Sequence, residues 1–363
     1  MSTDAVRSMS AIAAVAAVLA VPAAAAAAED TASLERRVAD LERRLDAGRG
    51  PAIAWSGLVE VEAAAAEDFA GNDTSGLELA TLELGAEAAV NDWVSAGAVL
   101  LYEGGTPEDV EVDAAVITIA APGSPWSATL GRTYVPFGAF ATGLVSDPLP
   151  LELGETQETA ALAAFTSGPV RGGAYVFNGD SNDGGDDEIE HFGVHAGLQG
   201  GDAVAWEVGA GYISSIADSD GLSGGMARLA SLDDYVGGID LNARAGVGAL
   251  TVLAEYVAAA DAFAADELAF DGQGAEPSAW QAELGYGFDL AGMPATASVG
   301  VQGTGEAVAL GQPERRALVG LSVEPWEATR IAAELKSEDD YDRADGGTGD
   351  SADTLTLQLA ASF

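Results

Sequence analysis

The sequence predicts an all-β protein: a transmembrane antiparallel β-barrel of about sixteen strands, preceded by a short N-terminal helix. Two observations support this prediction. From Ile53 to Phe363 most segments alternate apolar and polar residues, as expected when one face meets lipid and the other a polar lumen. The connections between these segments are alternately short and long, and acidic residues concentrate in the long set. Because a soluble sandwich also alternates, the pattern of connections decides between the two folds.

Residues 1–28 have the pattern of a secretory signal peptide. Arg7 precedes an apolar run from Ala11 to Ala20, and a string of small residues ends at Ala28. The apolar run is shorter than the roughly 20 residues that a membrane-spanning helix needs, which argues against an anchor. The sequence therefore predicts export, with cleavage after Ala28.

Residues 29–52 are predicted to form a short periplasmic helix and a linker. Leu34, Val38, Leu41 and Leu45 follow the a/d spacing of a coiled coil. About two heptads are marginal for an isolated coiled coil. Two alternatives therefore stay open: an amphipathic helix that lies on the barrel mouth, or a self-associating helix that makes the protein a homotrimer. Either way, the segment is too small to plug a large barrel.

Composition excludes several classes of protein. Cysteine is absent, so the chain has no disulfide framework and no thiolate metal site. A net charge of −43 excludes nucleic acid as a partner. The mean hydropathy is nevertheless +0.16, so charge and apolar surface must be segregated along the chain. Lys336 is the single lysine, which fits either a halophilic source or a GC-rich genome.

The predicted barrel occupies residues 53–363, and fourteen or eighteen strands are the alternative counts. The last segment shows the alternation best, because Leu355, Leu357 and Leu359 share one face and Thr356 and Gln358 the other. The chain ends on Phe363, an aromatic residue of the kind that signals to the barrel-assembly machinery. We therefore expect the outer membrane of a Gram-negative bacterium, with its lipid and lipopolysaccharide, as the location.

The connection at residues 135–157 differs from the other long ones, because it is rich in apolar residues and prolines. Exposed, such a segment would aggregate, so we predict that it folds inward and narrows the lumen. Arginine facing carboxylates across the opening would select solutes by charge and size. The predicted constriction residues are Arg132, Tyr134, Phe137, Phe140, Asp147, Glu152 and Glu155. The alternative is a structural loop whose charges satisfy one another.

The remaining candidate chemistry is weak. His191 and His195 share one side of a strand, and we interpret them as lumen or interface residues rather than a metal pair. No serine has the setting of a catalytic triad, so the sequence predicts no enzyme, no catalytic residues and no cofactor. Acidic loops such as Asp218–Gly221 lack the spacing of a calcium loop. Weak calcium or magnesium binding by these loops remains an unspecific expectation.

Several motifs resemble the siderophore-porin family typified by the legiobactin-uptake protein of the outer membrane. The more specific ones are Gly131-Arg132-x-Tyr134-Val135-Pro136-Phe137-Gly138-x-Phe140, Ser146-Asp147-Pro148-Leu149 and Glu152-Leu153-Gly154-Glu155-Thr156. Others are Tyr175-Val176-Phe177-Asn178-Gly179, Pro277-Ser278-Ala279-Trp280 and Gly346-Gly347-Thr348-Gly349-Asp350-Ser351. The resemblance covers essentially the whole barrel. It implies a channel without a plug domain, through which a ferric siderophore enters.

Two classes of function therefore remain. The first is a transport channel, either for a ferric siderophore or for small hydrophilic solutes with a preference for cations. The second is a structural surface barrel with a closed lumen, whose acidic loops bind divalent cations and bridge lipopolysaccharide.

Overall fold

The computed structural model describes residues 52–104, 110–183 and 189–363 of the chain. Sixteen strands form one closed antiparallel barrel, and two further strands form a small hairpin. The barrel strands are β1 (Ile53–Glu67), β2 (Asp73–Ala89), β3 (Val94–Glu103), β4 (Glu111–Ala120), β5 (Trp126–Tyr134), β6 (Gln157–Ser167), β7 (Val170–Asn178), β8 (His191–Gly200), β9 (Ala205–Ile213), β10 (Gly238–Val247), β11 (Leu250–Ala259), β14 (Ser278–Leu290), β15 (Met293–Gly305), β16 (Arg315–Trp326), β17 (Thr329–Asp339) and β18 (Ser351–Ser362). The hairpin is β12 (Ala269–Phe270) with β13 (Gln273–Gly274).

Each barrel strand pairs with its neighbours in the chain, and β1 closes the ring against β18. The predicted all-β barrel of sixteen strands is confirmed. The alternation predicts strands at Val170–Asn178 and Leu250–Ala259, and both have these bounds in the structure. It also predicts that the second strand begins at Leu77, whereas β2 begins at Asp73, so the connection after β1 is shorter than predicted.

The two faces of the wall differ as the alternation predicted. In β18 the side chains of Leu355, Leu357 and Leu359 are exposed on the outer face, whereas Thr356 and Gln358 are buried on the lumen face. Tryptophans such as Trp55 and Trp126 are also exposed outside. The barrel therefore presents an apolar outer surface and a polar interior.

Short turns join the strands at one end of the barrel, and long connections join them at the other. The long-loop end carries two short helices, α1 (Leu149–Gly154) and α2 (Asp220–Ser223), and 3-10 turns at Ile216–Asp218, Leu229–Ser231, Val308–Leu310 and Arg343–Asp345. The alternation predicts that the tenth strand begins at Asp234, which would make residues 135–157 the longest connection. Because β10 begins at Gly238, residues 214–237 between β9 and β10 form a slightly longer connection than residues 135–156 between β5 and β6.

Within the described ranges, no helix has both the length and the apolar character needed to cross a membrane. The predicted signal peptide and nearly all of the predicted helical segment, residues 29–52, lie outside the described residues.

Candidate functional site

The connection between β5 and β6, residues 135–156, folds into the barrel, and we call it the inner loop. In the ring of sixteen strands, β15 is eight strands away from β5 and therefore lies directly opposite it. The inner loop makes hydrogen bonds to lumen-facing side chains of β10, β11, β14, β15, β16 and β17. It therefore crosses the lumen and lies along the far wall.

Four carboxylates on the far wall accept hydrogen bonds from the inner loop, and we call Asp240, Glu255, Glu283 and Glu334 the wall carboxylates. All four are buried, and Glu334 is only 1% exposed. Asp240 accepts the backbone N–H of Gly138, and Glu255 accepts the N–H groups of Ala139 and Phe140 at 2.6 and 2.8 Å. Glu283 accepts the N–H of Gly143 at 3.0 Å and the hydroxyl of Thr142 at 2.8 Å. Glu334 accepts the N–H of Val145 at 2.6 Å and the hydroxyl of Ser146 at 2.5 Å. A buried carboxylate needs such donors, and hydrogen bonds to a charged acceptor are strong. The wall carboxylates therefore fasten the loop.

Carbonyl groups of the inner loop are also satisfied by the far wall. The side chain of Arg330 donates to the carbonyl of Gly143 at 2.7 Å, and that of Arg316 donates to the carbonyl of Asp147 at 2.9 Å. Gln281 donates to the carbonyl of Ala141 at 3.2 Å. Because the irregular backbone of the loop finds polar partners on the wall, it can be buried without a large desolvation cost.

Apolar contacts hold both ends of the inner loop. Phe137 and Phe140 are 1% and 9% exposed and belong to a cluster with Val257 of β11. Helix α1 brings Leu149 and Leu153 into the same cluster, since residues four apart lie on one face of a helix. Phe137 and Phe140 thus pack the loop on the wall.

The tip of the inner loop fits a depression that two glycines create. Leu144 is 4% exposed. A Cβ on Gly300 of β15 or on Gly320 of β16 would lie 2.9 or 2.7 Å from its methyl groups. Only glycine lets the leucine approach the wall this closely.

Two predicted constriction carboxylates lie in a mixed-charge group of lumen residues. Glu152 of α1 is near Asp147 of the inner loop and near Arg316, Lys336 and Glu338 of the far wall. Arg316 and Lys336 contact Glu338 at 2.7 and 3.3 Å. Burial, followed by repulsion from Asp147, raises the pKa of Glu152 above its usual range, and the two basic groups oppose that shift. Within the described residues, the basic groups near Glu152 therefore come from β16 and β17.

Arg132 and Tyr134 lie on one side of β5, as predicted, but that side is the outer face. The register places Arg132 opposite Thr159 and Tyr134 opposite Gln157 of β6. Leu130, two residues before Arg132, is 46% exposed on the outer face. The predicted lumen orientation is wrong, because the alternation that turns Leu130 outward turns Arg132 and Tyr134 outward as well.

The contacts of Arg132 and Tyr134 form a polar cluster in the wall. The Arg132 side chain donates to the carbonyl of Val112 at 3.1 Å and to the side chain of Gln157. The Tyr134 hydroxyl donates to Asp113 at 2.6 Å, and Gln157 donates to the same carboxylate at 2.9 Å. The cluster joins the long-loop ends of β4, β5 and β6, just before the inner loop leaves the wall.

Glu155 ends the inner loop beside helix α2. Its carbonyl accepts the backbone N–H of Asp220 at 2.8 Å, and the carboxylate of Asp220 accepts the N–H of Gln157. Burial raises the pKa of Asp220 to about 6, and Arg132 opposes that shift. Asp220 therefore links the connection between β9 and β10 to the inner loop. In the sequence, Asp220 is only one residue of the acidic loop Asp218–Gly221, and no pattern there indicates this contact.

The wall opposite the fastened loop has a different charge. Between Arg49 and Arg132 the sequence contains fourteen acidic residues and no Lys, Arg or His. The segment between Arg49 and Arg132 includes all of β1 to β4. Glu60, Glu62, Glu78, Glu83 and Glu87 alternate with outward-facing leucines and valines, which places them on the lumen face. We call the lumen face of β1–β4 the acidic wall.

The two histidines face the interior, since Phe192 and Val194 beside them are exposed outside. His191 is 3% exposed, lies 3.7 Å from Asp218, and contacts the carbonyl of Ser181 at 3.2 Å. His195 lies lower on β8, beside Arg171 of β7. They share a side, as predicted, but each has different neighbours. The described residues contain no group of three or more metal-binding side chains.

The predicted constriction residues do not include Arg316, Arg330 and Lys336, although the sequence contains a signal for all three. Each alternates with outward-facing residues such as Val319, Ile331 and Leu335, so strand periodicity alone places them on the lumen face. The predicted acidic side of the constriction lies on the inner loop, whereas the basic side comes from the far end of the chain.

Comparison with curated sequences finds relatives in two genera. A UPF0422 protein of Legionella pneumophila is 30% identical, with 86% of this chain and 67% of the relative aligned. A UPF0422 protein of Coxiella burnetii is 27% identical, with 82% and 67% aligned. No family model matches the sequence.

Solved structures share the fold at low sequence identity. The anion-selective porin of Comamonas acidovorans has a TM-score of 0.59 at 14% identity, over 86% of this chain and 99% of the porin. The outer-membrane channel DcaP of Acinetobacter baumannii has a TM-score of 0.60 at 14% identity, over 86% and 98%. OmpF of Salmonella typhi has a TM-score of 0.58 at 11% identity, over 86% and 98%. These likenesses show a porin-like fold. At such identity, the ion preference of a neighbour does not transfer.

Proposed function

The chain belongs to the UPF0422 family, and we propose that it is an outer-membrane diffusion channel for small hydrophilic solutes, with a preference for cations. The observation that carries this proposal is the position of the inner loop. Fastened to β10–β17, it fills the side of the lumen next to the far wall. The space that remains is bordered by the acidic wall. A solute would therefore pass between a rigid loop and a row of carboxylates.

The charge distribution supports the cation preference. Most basic lumen groups are already engaged: Arg316 and Lys336 with Glu338, and Arg171 with Glu207. The acidic wall offers no basic group along its four strands. A narrow passage lined by one sign of charge concentrates counter-ions and raises their flux.

The test is the reversal potential of the folded, reconstituted barrel in a potassium chloride gradient. We expect stepwise conductance and a reversal potential on the cation side. Since surface charge is screened over about 8 Å at physiological ionic strength, the preference should weaken in high salt. Anion preference would contradict the proposed selectivity. A folded barrel that does not conduct would instead favour the structural surface barrel with a closed lumen.

Uptake of a ferric siderophore is a second candidate, supported by the resemblance of the motifs at residues 131–140 and 146–156 to siderophore porins. It makes a different prediction, because a general channel is dispensable for iron supply. A deletion strain should grow poorly when ferric siderophore is the only iron source and normally on ferrous iron. Normal growth in both conditions would leave the general channel as the better account.

A further inference from the structure

A groove of about 400 Å³ lies on the outer face of the barrel over β5, β6, β7 and β8, and its lining is almost entirely apolar. Two rows of outward-facing residues in register form it: Leu130, Ala161, Val176 and Phe192 in one row, and Ala128, Ala163, Ala174 and Val194 in the next. Because alanines of β6 and β7 lie between larger side chains of β5 and β8, the wall is recessed there. We call this recess the outer groove.

The two ends of the outer groove differ. At the short-turn end, Trp126 and Phe165 pair in register with their ring centroids 4.8 Å apart, so an aromatic pair closes the groove. At the long-loop end, the next outward-facing row consists of Arg132, Thr159 and Asn178. In an outer-membrane barrel the long loops are external. The groove therefore leads from a closed apolar end to a polar end on the external side of the membrane.

Arg132 lies at the depth of the external aromatic side chains. In β9 the outward-facing Trp206 and Tyr212 are six residues apart, one near each end of the strand, and β14 repeats this spacing between two aromatic residues. Such aromatic residues mark the two boundaries of the apolar band. Arg132 is likewise six residues from Trp126 in β5. Its long side chain can therefore extend to the lipid headgroups.

The guanidinium of Arg132 has donors for an anion at this level. Its Nε donates to the carbonyl of Val112 at 3.1 Å, and its Nη2 donates to Gln157. In the described part of the chain these two contacts use only some of the five N–H groups of the guanidinium. The nearby Asp113 is 5% exposed and accepts from Tyr134 and Gln157, so it does not present its charge to the lipid. Arginine is well suited to bind phosphate through paired N–H groups.

Small side chains alone do not distinguish the outer groove. A similar outward-facing row on β10, β11 and β14 consists of Ala243, Ala254 and Ala282. The next outward-facing row towards the long loops there is Leu241, Tyr256 and Trp280, and all three are exposed. Large apolar side chains thus occupy the external boundary above that row. Over β5 to β7 the recess leads to a cation instead.

We propose that the outer groove binds lipid A, the phosphorylated lipid of lipopolysaccharide, with an acyl chain along β6 and β7 and a phosphate on Arg132. An apolar recess with one cationic end has the same division as an acyl chain and its anionic headgroup. Lipid chains are as apolar as the groove, so the recess contributes packing rather than a hydrophobic driving force. The charge-assisted hydrogen bonds to the phosphate supply most of the affinity.

The experiment uses the folded barrel in phosphatidylcholine nanodiscs that contain an increasing fraction of diphosphorylated lipid A. After release into detergent, native mass spectrometry counts the barrels that retain lipid A and reports the oligomeric state in the same spectrum. The wild type should retain lipid A with an apparent affinity about tenfold higher than for lipid A without phosphates, since hydrogen bonds to charged groups are lost.

Two variants test the two parts of the site, and each has a matched control. R132Q should weaken binding of lipid A about tenfold, whereas R315Q should not, although Arg315 also faces outward at the long-loop end, four residues from the exposed Val319. A163L fills part of the recess and should weaken binding about two- to threefold, because it displaces packing contacts only. A254L adds the same side chain to the row on β10, β11 and β14 and should have no effect.

The outcomes decide what covers this face. Equal losses in R132Q and R315Q would overturn the site, because general surface charge would then explain retention. Equal effects of A163L and A254L would remove the groove from the site. Oligomers that dissociate in R132Q or A163L, with lipid A retention unchanged, would show that a second copy of the chain covers the groove and would overturn the lipid site. Heat-modifiability on gels confirms that every variant has folded.

Discussion

The acidic wall and the far wall both carry lumen-facing carboxylates, but these carboxylates have different partners. On the far wall, Glu255, Glu283 and Glu334 accept backbone N–H groups of the inner loop and are almost completely buried. On the acidic wall, Glu62 and Glu78 face each other across two strands beside the remaining passage. The same residue type therefore fastens the loop on one wall and lines the passage on the other. The hydrogen-bond partners of a glutamate, rather than its charge, therefore decide which of the two roles it has.

Neutralising pairs of glutamates on each wall should produce the largest effects and separate these roles. E283Q/E334Q removes the charge of two acceptors that hold Thr142–Ser146, and each charge-assisted bond contributes roughly 1.5–3 kcal/mol. We expect the loop tip to detach, with a roughly twofold or larger conductance and a noisier open channel. E83Q/E87Q on the acidic wall should reduce cation preference and lower the conductance rather than raise it, because fewer counter-ions are concentrated in the passage. Single-channel recordings of folded barrels measure both. Equal effects from the two pairs would end the distinction between the walls.

The barrel could be predicted from the sequence because strand faces depend on local alternation. The same alternation places Glu255, Glu283 and Glu334 inside, next to outward-facing Tyr256, Leu284 and Leu335. Their partners on the inner loop could not be predicted, because those hydrogen bonds join residues more than a hundred positions apart. The apolar character of the loop indicated burial but not the wall on which it lies.

The error at Arg132 has another origin. The prediction paired its charge with the carboxylates of the loop and did not follow the alternation back through Leu130 and Ala128. The two-residue period of a strand decides which face Arg132 occupies, whatever charge lies across the lumen. For Glu152 the basic neighbours are Arg316 and Lys336, which are far from it in sequence.

Acidification should change the stability of two loops in opposite directions: it should stabilise residues 214–237 and destabilise residues 68–72. We expect both effects to be moderate. Asp220, beside the inner loop, has its pKa raised to about 6 by burial. The folded state therefore binds a proton before the unfolded state does, and this contribution to stability grows as pH falls from about 7 to 4. Asp68, in the connection after β1, has a pKa lowered by hydrogen bonds from Asn72 and from nearby backbone N–H groups. Its contribution is present near neutral pH and is lost below about pH 4.

Hydrogen exchange, corrected for the intrinsic effect of pH, measures both loops in one sample. Residues 214–237 should become better protected between pH 7 and 5, and residues 68–72 should lose protection below pH 4. Because Asp220 keeps contact with solvent, we expect a change of only a few-fold. D220N should abolish the first change, whereas D233N in the same connection should not. A parallel response of both loops would show that global stability, rather than these two carboxylates, sets the pH dependence.

The smallest effect should come from Arg132, and its comparison with Arg316 tests the assignment of faces. Arg132 lies on the outer face and joins Val112 to Gln157, so R132Q should leave the reversal potential within experimental error. Arg316 is 8% exposed on the lumen face and contacts both Glu338 and the carbonyl of Asp147. R316Q removes a positive charge beside the passage, and the reversal potential should move measurably towards ideal cation selectivity. Both variants should fold, as heat-modifiability would show.

A selectivity change in R132Q equal to that in R316Q would mean that Arg132 reaches the lumen, contrary to the register of β5 with β6. No change in either would place the selective region away from both arginines, on the acidic wall, where Glu83 and Glu87 are the residues to neutralise.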